Sequence, residues 1–186
     1  MANQETKRKL IDTTKKMLLD GMEVEKVTAR EIAREAEISL AMINYCFKSK
    51  DELLKISVDE IVREEFDKVV NFNCSDISVK EQLKQSLLNT SKVMLKYMNL
   101  TKASIPYLIL NDEINLPFEI LPFVEKHFGN KKSDKECRII AFQLVYILQL
   151  IFYRSDDFFR YSGMDIKDIN QLEELIDLQL SIVGIS

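Results

Sequence analysis

Side chains that can bind DNA are concentrated between residues 28 and 50. The carboxamide of Asn44 can form two hydrogen bonds with the edge of an adenine base. Leu40 and Met42 can contact thymine methyl groups, and Ala41 is small enough to lie close to a groove. Four further side chains have hydroxyl or ammonium groups that can hold phosphate oxygens, which positions a protein without reading sequence. These four are Ser39, Tyr45, Lys48 and Lys50.

The same stretch predicts two short helices joined by a tight turn. Thr28 and Glu31 form the T-x-x-E pattern of a capping box, and Ser39 begins a second helix. These two starts are separated by about two helical turns and a three-residue connection, 36–38. This spacing is typical of a helix-turn-helix. Arg30 lies near the start of the first helix and can reach a base or a phosphate. The two helices are predicted at about 29–36 and 40–46.

The composition predicts an all-α protein, because only four Gly and three Pro occur in 186 residues. Helical spacing of apolar residues indicates about nine helices, with a loop at 156–165 between the last two. We expect a three-helix DNA-binding domain over residues 1–48. A helical ligand-binding and dimerisation domain is expected over residues 49–186.

The charge distribution favours nucleic-acid binding by the N-terminal part. Residues 1–50 contain ten Lys/Arg and eight Asp/Glu, a net charge of +2. Residues 51–186 contain sixteen and twenty-two, a net charge of −6. The basic part coincides with the predicted helix-turn-helix, as phosphate binding requires. The three cysteines, Cys46, Cys74 and Cys137, lack metal-ligand spacing, and together with a polar N-terminus they indicate reduced thiols in the cytoplasm.

The sequence does not indicate an enzyme. His127 is the only histidine, so no histidine triad or metal cluster can be built around several imidazoles. The P-loop, the dinucleotide-binding fingerprint and the nucleophile elbow are missing as well. We therefore expect no catalytic residues, no cofactor and no metal.

The stretch VTAREIAREAEIS, followed by INYCFKSKDELL, resembles the N-terminal domain of TetR-family bacterial transcriptional regulators. The resemblance covers about residues 8–54. It implies that Ser39 begins the recognition helix, that Arg30 lies at the groove edge, and that Phe47 packs the recognition helix against the following one. It also implies phosphate contacts by Thr28, Tyr45 and Lys50.

Two positions depart from that family's pattern. Glu37 occupies the turn position where the family usually has glycine, and a left-handed backbone there would cost ~1 kcal/mol. Asn44 stands where the family most often has an aromatic ring, so a stacking surface is exchanged for hydrogen-bonding groups. The base preference of relatives therefore does not transfer to this chain.

Residues 139–153 form the strongest apolar run, IIAFQLVYILQLIFY. The run is shorter than the ~18 residues of a membrane span, so we expect a buried helix and no membrane contact. It is either the central core helix of a monomer or part of a dimer interface. We expect the dimer, through helices near 134–155 and 166–183, as the family resemblance also implies. Two-fold symmetry would then place two recognition helices about 34 Å apart, on a palindromic operator in double-stranded DNA.

Regulators with this layout usually bind a small-molecule effector in the C-terminal domain. Met and aromatic side chains suit an adaptable apolar cavity, although they also occur as plain core. The sequence thus predicts a ligand-responsive DNA-binding regulator, most simply a repressor. The alternative is a helical small-molecule-binding or interaction protein that has lost DNA binding. The candidate ligand-binding residues are Phe66, Leu87, Met94, Met98, Tyr107, Leu110, Phe118, Phe142 and Tyr146.

Overall fold

The computed structural model describes residues 2–69 and 77–185 of the chain. All regular structure in these residues is helical, which confirms the predicted all-α class. Short 3₁₀ helices at Val24–Lys26, Leu116–Glu119 and Gly129–Lys131 accompany ten α-helices, one more than expected. The α-helices are α1 (Ala2–Leu19), α2 (Ala29–Glu35), α3 (Leu40–Cys46), α4 (Lys50–Val69), α5 (Val79–Lys96), α6 (Met98–Asn111), α7 (Leu121–Phe128), α8 (Asp134–Tyr153), α9 (Ser155–Ser162) and α10 (Ile169–Ile182).

The additional helix is α9, and the loop prediction for residues 156–165 was wrong. Arg154 and Arg160 both form ion pairs with Asp157, each three residues away, and the distance from Arg154 Nη2 to Asp157 Oδ2 is 2.7 Å. Such pairs lie on one helix face and favour the helix. Gly163 then ends it with a φ of +77°.

Contacts divide the described residues into two compact units. Unit 1 contains residues 2–65 and 97–112, which are α1 to α3, most of α4, and α6. Leu10, Ile32 and Ile43 are completely buried where α1, α2 and α3 pack together. The start of α6 packs on the same core through partly buried apolar residues. Unit 1 is therefore a three-helix core extended by α4 and α6.

Unit 2 contains residues 66–69, 77–96 and 113–185. Within it, α8 packs against α7 and the Leu116–Glu119 3₁₀ helix, while α5 packs against α7 and α10. Leu144 and Phe152 of α8 are almost completely buried, and so are Leu83 and Ile176 of α5 and α10. The apolar run 139–153, which was predicted as a buried helix, thus lies in α8, and one face of this helix packs into the core of unit 2.

The second face of α8 is not covered. Five large apolar side chains on this helix are at least 39% exposed. The helix is long and apolar enough to cross a membrane by length and composition, the one such helix in the described ranges, and 44% of its most apolar window is buried. Because its buried side packs within unit 2, α8 is a core helix with an uncovered face. The five residues are Ile139, Phe142, Ile147, Leu150 and Tyr153.

Candidate nucleic-acid interface

The turn between α2 and α3 is a Schellman motif. The backbone N–H of Ile38 donates to the carbonyl oxygen of Ala33 at 2.9 Å, and the N–H of Glu37 donates to that of Arg34 at 3.1 Å. Glu37 is the left-handed residue of the motif, with a φ of +54°. The backbone is therefore left-handed at the position where the sequence lacks the glycine of its relatives, and the turn carries the expected strain.

The two helix starts differ in what their hydroxyl groups do. Thr28 Oγ1 accepts a hydrogen bond from the N–H of Glu31 at 3.2 Å, and Glu31 Oε2 accepts one from the N–H of Thr28, also at 3.2 Å. The predicted capping box is confirmed. Ser39 has the extended backbone of an N-cap, but its side chain makes no cap hydrogen bond. Its exposed hydroxyl is thus available to a ligand at the start of α3.

The helix α3 has one buried and one exposed face. Ile43 and Phe47, the residue that ends α3, are 0% and 3% exposed, and they fix the helix on the unit 1 core. The opposite face presents Tyr45, which is 70% exposed, and Leu40, which is 41% exposed. Met42 is half-buried between the two faces. The other candidates on the exposed side are Ser39, Ala41, Asn44 and Lys48.

The remaining candidates flank this face in the sequence. Thr28 and Arg30 are exposed at the start of α2. Lys50 is half-buried, and its ammonium group lies 3.3 Å from Asp51. The charge of Lys50 is thus shared with a neighbouring carboxylate.

Ion pairs between α1 and α4 hold the base of the three-helix core. Lys15 is only 8% exposed, and its Nζ lies 3.2 Å from Glu60 and close to Glu64. Burial lowers the pKa of Lys15, but the hydrogen bonds that its ammonium group donates to Glu64 and Glu60 outweigh this effect and raise the pKa above its usual value. Arg8 joins the network, with its Nη1 2.9 Å from Glu60. This network fixes α1, against which α2 and α3 pack.

Sequence reasoning missed one cation beside the recognition helix. The Nζ of Lys7 lies 5.2 Å from the ring centroid of Phe47, within the range of a cation–π contact. Lys7 is exposed, so its ammonium group also remains accessible to phosphate. The run of basic residues at 7–9 was visible in the sequence, but only the packing of α1 on α3 brings Lys7 next to Phe47.

The candidate ligand-binding residues belong to both compact units. Phe118 and Phe142 line a cleft in unit 2, and the Phe142 ring stacks on Tyr146 with centroids 4.5 Å apart. Leu87 and Met94 are buried core residues of the same unit, and Phe66 is half-buried there. The other three belong to unit 1, where Leu110 is 78% exposed. These three are Met98, Tyr107 and Leu110.

The thiol of Cys46 on α3 is half-buried, and that of Cys137 on α8 is buried. Burial raises the pKa of the Cys137 thiol, so it is a poor nucleophile at neutral pH. The prediction of a reduced thiol at Cys74 falls outside the described residues.

The segment that contains this surface is similar to known proteins. Residues 18–55 match the model described as bacterial regulatory proteins, tetR family. Among curated proteins, no sequence matches the chain. The fold is similar to that of BioQ solved with its natural double-stranded DNA operator, with 16% identity and a TM-score of 0.68 over 97% of this chain and 98% of that one.

Two further structures show the same similarity. A TetR transcriptional regulator from Rhodococcus sp. RHA1 is 17% identical, with a TM-score of 0.67 over 98% of each chain. BioQ from Mycobacterium smegmatis is 16% identical, with a TM-score of 0.63 over 94% of this chain and 95% of that one. At these identities the likeness shows the fold, and it extends over nearly the whole chain.

Proposed function

We propose that the chain is a transcriptional repressor of the TetR family, because residues 18–55 match the model of bacterial regulatory proteins of the tetR family. It binds a palindromic operator as a homodimer in the cytoplasm, and a small, largely apolar ligand releases it from the DNA.

The exposed face of α3 is the observation that carries this proposal. Ile43 and Phe47 anchor the helix on the core, and the opposite side presents Asn44 and Tyr45 to solvent. A recognition helix in the major groove needs this division between an anchored face and an accessible one. The similarity to BioQ, whose structure was solved with a DNA operator, supports double-stranded DNA as the partner.

Asn44 is the side chain we assign to base recognition. A bidentate contact between a carboxamide and adenine discriminates against other bases by about 1–3 kcal/mol. Leu40 and Met42 add apolar contacts with thymine methyl groups. The cations and hydroxyl groups around them hold phosphates, and so make the affinity depend on salt. Lys7 joins these phosphate contacts.

The uncovered face of α8 supports a homodimer. A contiguous set of large apolar side chains is rarely left in water and marks an interaction surface. Leu150 and Tyr153, 50% and 44% exposed, lie near the C-terminal end of this face. A second copy placed on α8 by two-fold symmetry buries the same residues of both chains.

Selection of random double-stranded DNA on the full-length protein tests the regulator. Sequencing of the bound DNA at two salt concentrations is expected to give a palindromic motif, which Asn44→Ala loses at one position of each half-site. Tyr45→Ala should weaken binding to all sequences. Tyr161→Ala, which removes a tyrosine that is 91% exposed on α9, is the matched control and should leave both affinity and motif unchanged.

Two results would contradict the proposal. A protein with no enriched motif at either salt concentration, and with no ligand detected by mass spectrometry after denaturation, does not bind an operator. It would then be a helical small-molecule-binding protein without DNA recognition. An enriched motif that Asn44→Ala leaves unchanged would instead remove Asn44 from base recognition while keeping the regulator.

Sedimentation equilibrium tests the homodimer separately. The wild type is expected at twice the 21.7 kDa of the chain at micromolar concentration. Leu150→Glu places a charge in the proposed interface and should give the single-chain mass. The matched control is Leu110→Glu, because Leu110 is 78% exposed and lies outside α8. A wild type found only as the single chain would refute the interface.

A further inference from the structure

A half-open apolar cleft lies in unit 2 between the Leu116–Glu119 3₁₀ helix and the first half of α8. Its volume is about 260 Å³. The buried side chains of Pro117, Leu121 and Ala141 form its floor. Its walls are apolar side chains that are all at least 39% exposed. The walls are formed by Ile114, Phe118, Ile139 and Phe142.

Arg138 is the one charged side chain among the described residues that line this cleft. Its Cζ lies 5.5 Å from the ring centroid of Phe118, so the guanidinium group faces the aromatic wall. Its Nε donates to Asp134 Oδ2 at 2.9 Å, which fixes the side chain one helical turn from its partner. This arrangement leaves the terminal nitrogens as donors at one end of an apolar groove.

We infer that the cleft binds a small apolar carboxylate, with its hydrocarbon part against Phe118 and Phe142 and its carboxylate at Arg138. An apolar cavity of ~150 Å³ holds a benzene molecule, so 260 Å³ accommodates a ring with a short chain. Apolar walls with one well-placed polar group are typical of small-molecule sites. A guanidinium group matches a carboxylate in charge and in geometry.

This inference deepens the ligand response proposed above and rests on it, because it names the chemical class of the effector. The same surface has one competing occupant, a second copy of the chain, since Ile139 and Phe142 also belong to the uncovered face of α8. The small-molecule occupant is favoured because the cleft is a concave volume with a charge at its end, whereas Leu150 and Tyr153 farther along α8 lie outside it.

Titration calorimetry with two matched probes, 4-phenylbutyrate and 4-phenylbutanamide, tests the inference on the full-length protein without DNA. The wild type should bind the carboxylate about tenfold more tightly than the neutral amide, the size expected of one charge-assisted contact. Arg138→Gln should abolish this preference. Arg154→Gln, which removes an exposed arginine at the end of α8 that is also paired with an aspartate, should keep it.

The apolar wall is tested with the same probes. Phe118→Ala should weaken both probes several-fold, whereas Phe159→Ala should weaken neither, because Phe118 and Phe159 are similarly exposed, 54% and 51%, and only Phe118 lines the cleft. Circular dichroism checks that each variant is folded.

Equal binding of the two probes by the wild type, or a preference that survives Arg138→Gln, would overturn the carboxylate site. If neither probe binds, and self-association slows amide hydrogen exchange at Ile139 and Phe142, the surface is assigned to a second copy of the chain. Because these titrations contain no DNA, their failure would leave the result of the DNA selection unchanged. Failure of the DNA selection would likewise leave the cleft's ligand preference measurable.

Discussion

Replacing Glu37 with glycine should stabilise the turn that orients α3. The residue has a φ of +54°, and the two hydrogen bonds of the Schellman motif at 2.9 and 3.1 Å hold it there. Its side chain is exposed, so the substitution removes no buried packing. The main change is therefore the relief of a backbone conformation that side chains with a Cβ atom disfavour.

The expected gain follows from two opposing effects. A left-handed conformation costs a non-glycine residue about 1–2 kcal/mol. Glycine gives the unfolded chain more freedom, which costs about 0.5–1 kcal/mol on folding. The net stabilisation of the turn is thus about 0.5–1 kcal/mol. It adds to the free energy of every local or global unfolding reaction in which the α2–α3 turn is released.

Amide hydrogen exchange of unit 1 measures this gain locally, without the assumption that the whole chain unfolds in one step. The amides of Ile38 and Phe47, which donate within the turn and at the end of α3, report on it. Their exchange in Glu37→Gly should be about two- to fivefold slower than in the wild type, the factor that corresponds to 0.5–1 kcal/mol.

Two control variants separate strain from charge. Glu37→Gln removes the same charge but keeps the Cβ atom, so exchange at Ile38 should stay at the wild-type rate. Glu35→Gly removes a charge from the exposed last residue of α2, where the backbone is right-handed, and should speed exchange by loosening the helix. If Glu37→Gly and Glu37→Gln exchange at the same rate, the argument from backbone strain is refuted.

Four further substitutions test two helix caps, an ion pair and the missed cation. Thr28→Ala removes a capping box and should lower the free energy of unfolding by about 1 kcal/mol in urea titrations. Ser133→Ala, its counterpart at the start of α8, should cost a similar amount but spare DNA affinity. The hydrogen bonds that Lys84 donates to Glu173 and Asp177 raise the pKa of Lys84. The stability that these bonds give is therefore fully present below the unfolded pKa of 10.5 and is lost as pH rises through the raised folded value. The stability difference between wild type and Lys84→Met, about 1 kcal/mol, should therefore hold from pH 7 to 9 and shrink above pH ~10.5; a difference that grows there would contradict the assignment. Lys7→Met should reduce the slope of log affinity against log salt concentration by about one and leave the selected motif unchanged, whereas an unchanged slope would remove Lys7 from the phosphate contacts.

Local sequence patterns were sufficient for the start of α2. A capping box is contained in four consecutive residues, so Thr28 could be assigned without any knowledge of the fold. The strain at Glu37 was also predictable, because the sequence shows a glutamate where the family pattern has glycine. The structure added only that φ is positive at this residue.

Features that depend on distant contacts could not be assigned in this way. Lys7 is separated by forty residues from Phe47, and nothing in either neighbourhood indicates that they meet. The break between α5 and α6 at Tyr97 interrupts a continuous apolar pattern, so helical periodicity alone does not locate it. The helix α9 was missed because its charged residues are also typical of a loop. Only in a helical backbone do Arg154 and Arg160 come close enough to Asp157 to form ion pairs that stabilise the helix.

The sequence predicts that α8 and α10 both contribute to the dimer interface, but the exposed faces of these two helices differ. The outer side of α10 presents Glu174 and Asp177 beside Leu178, whereas the outer side of α8 is largely apolar. A two-fold contact centred on α10 would bring the acidic residues of two chains together, while one centred on α8 removes apolar surface from water. Leu150 and Leu178 are almost equally exposed, 50% and 46%, so the pair Leu150→Glu and Leu178→Glu compares the two helices directly. If α8 is the centre of the interface, Leu150→Glu should raise the dimer dissociation constant far more than Leu178→Glu, and equal effects in sedimentation equilibrium would show that both helices lie at its centre.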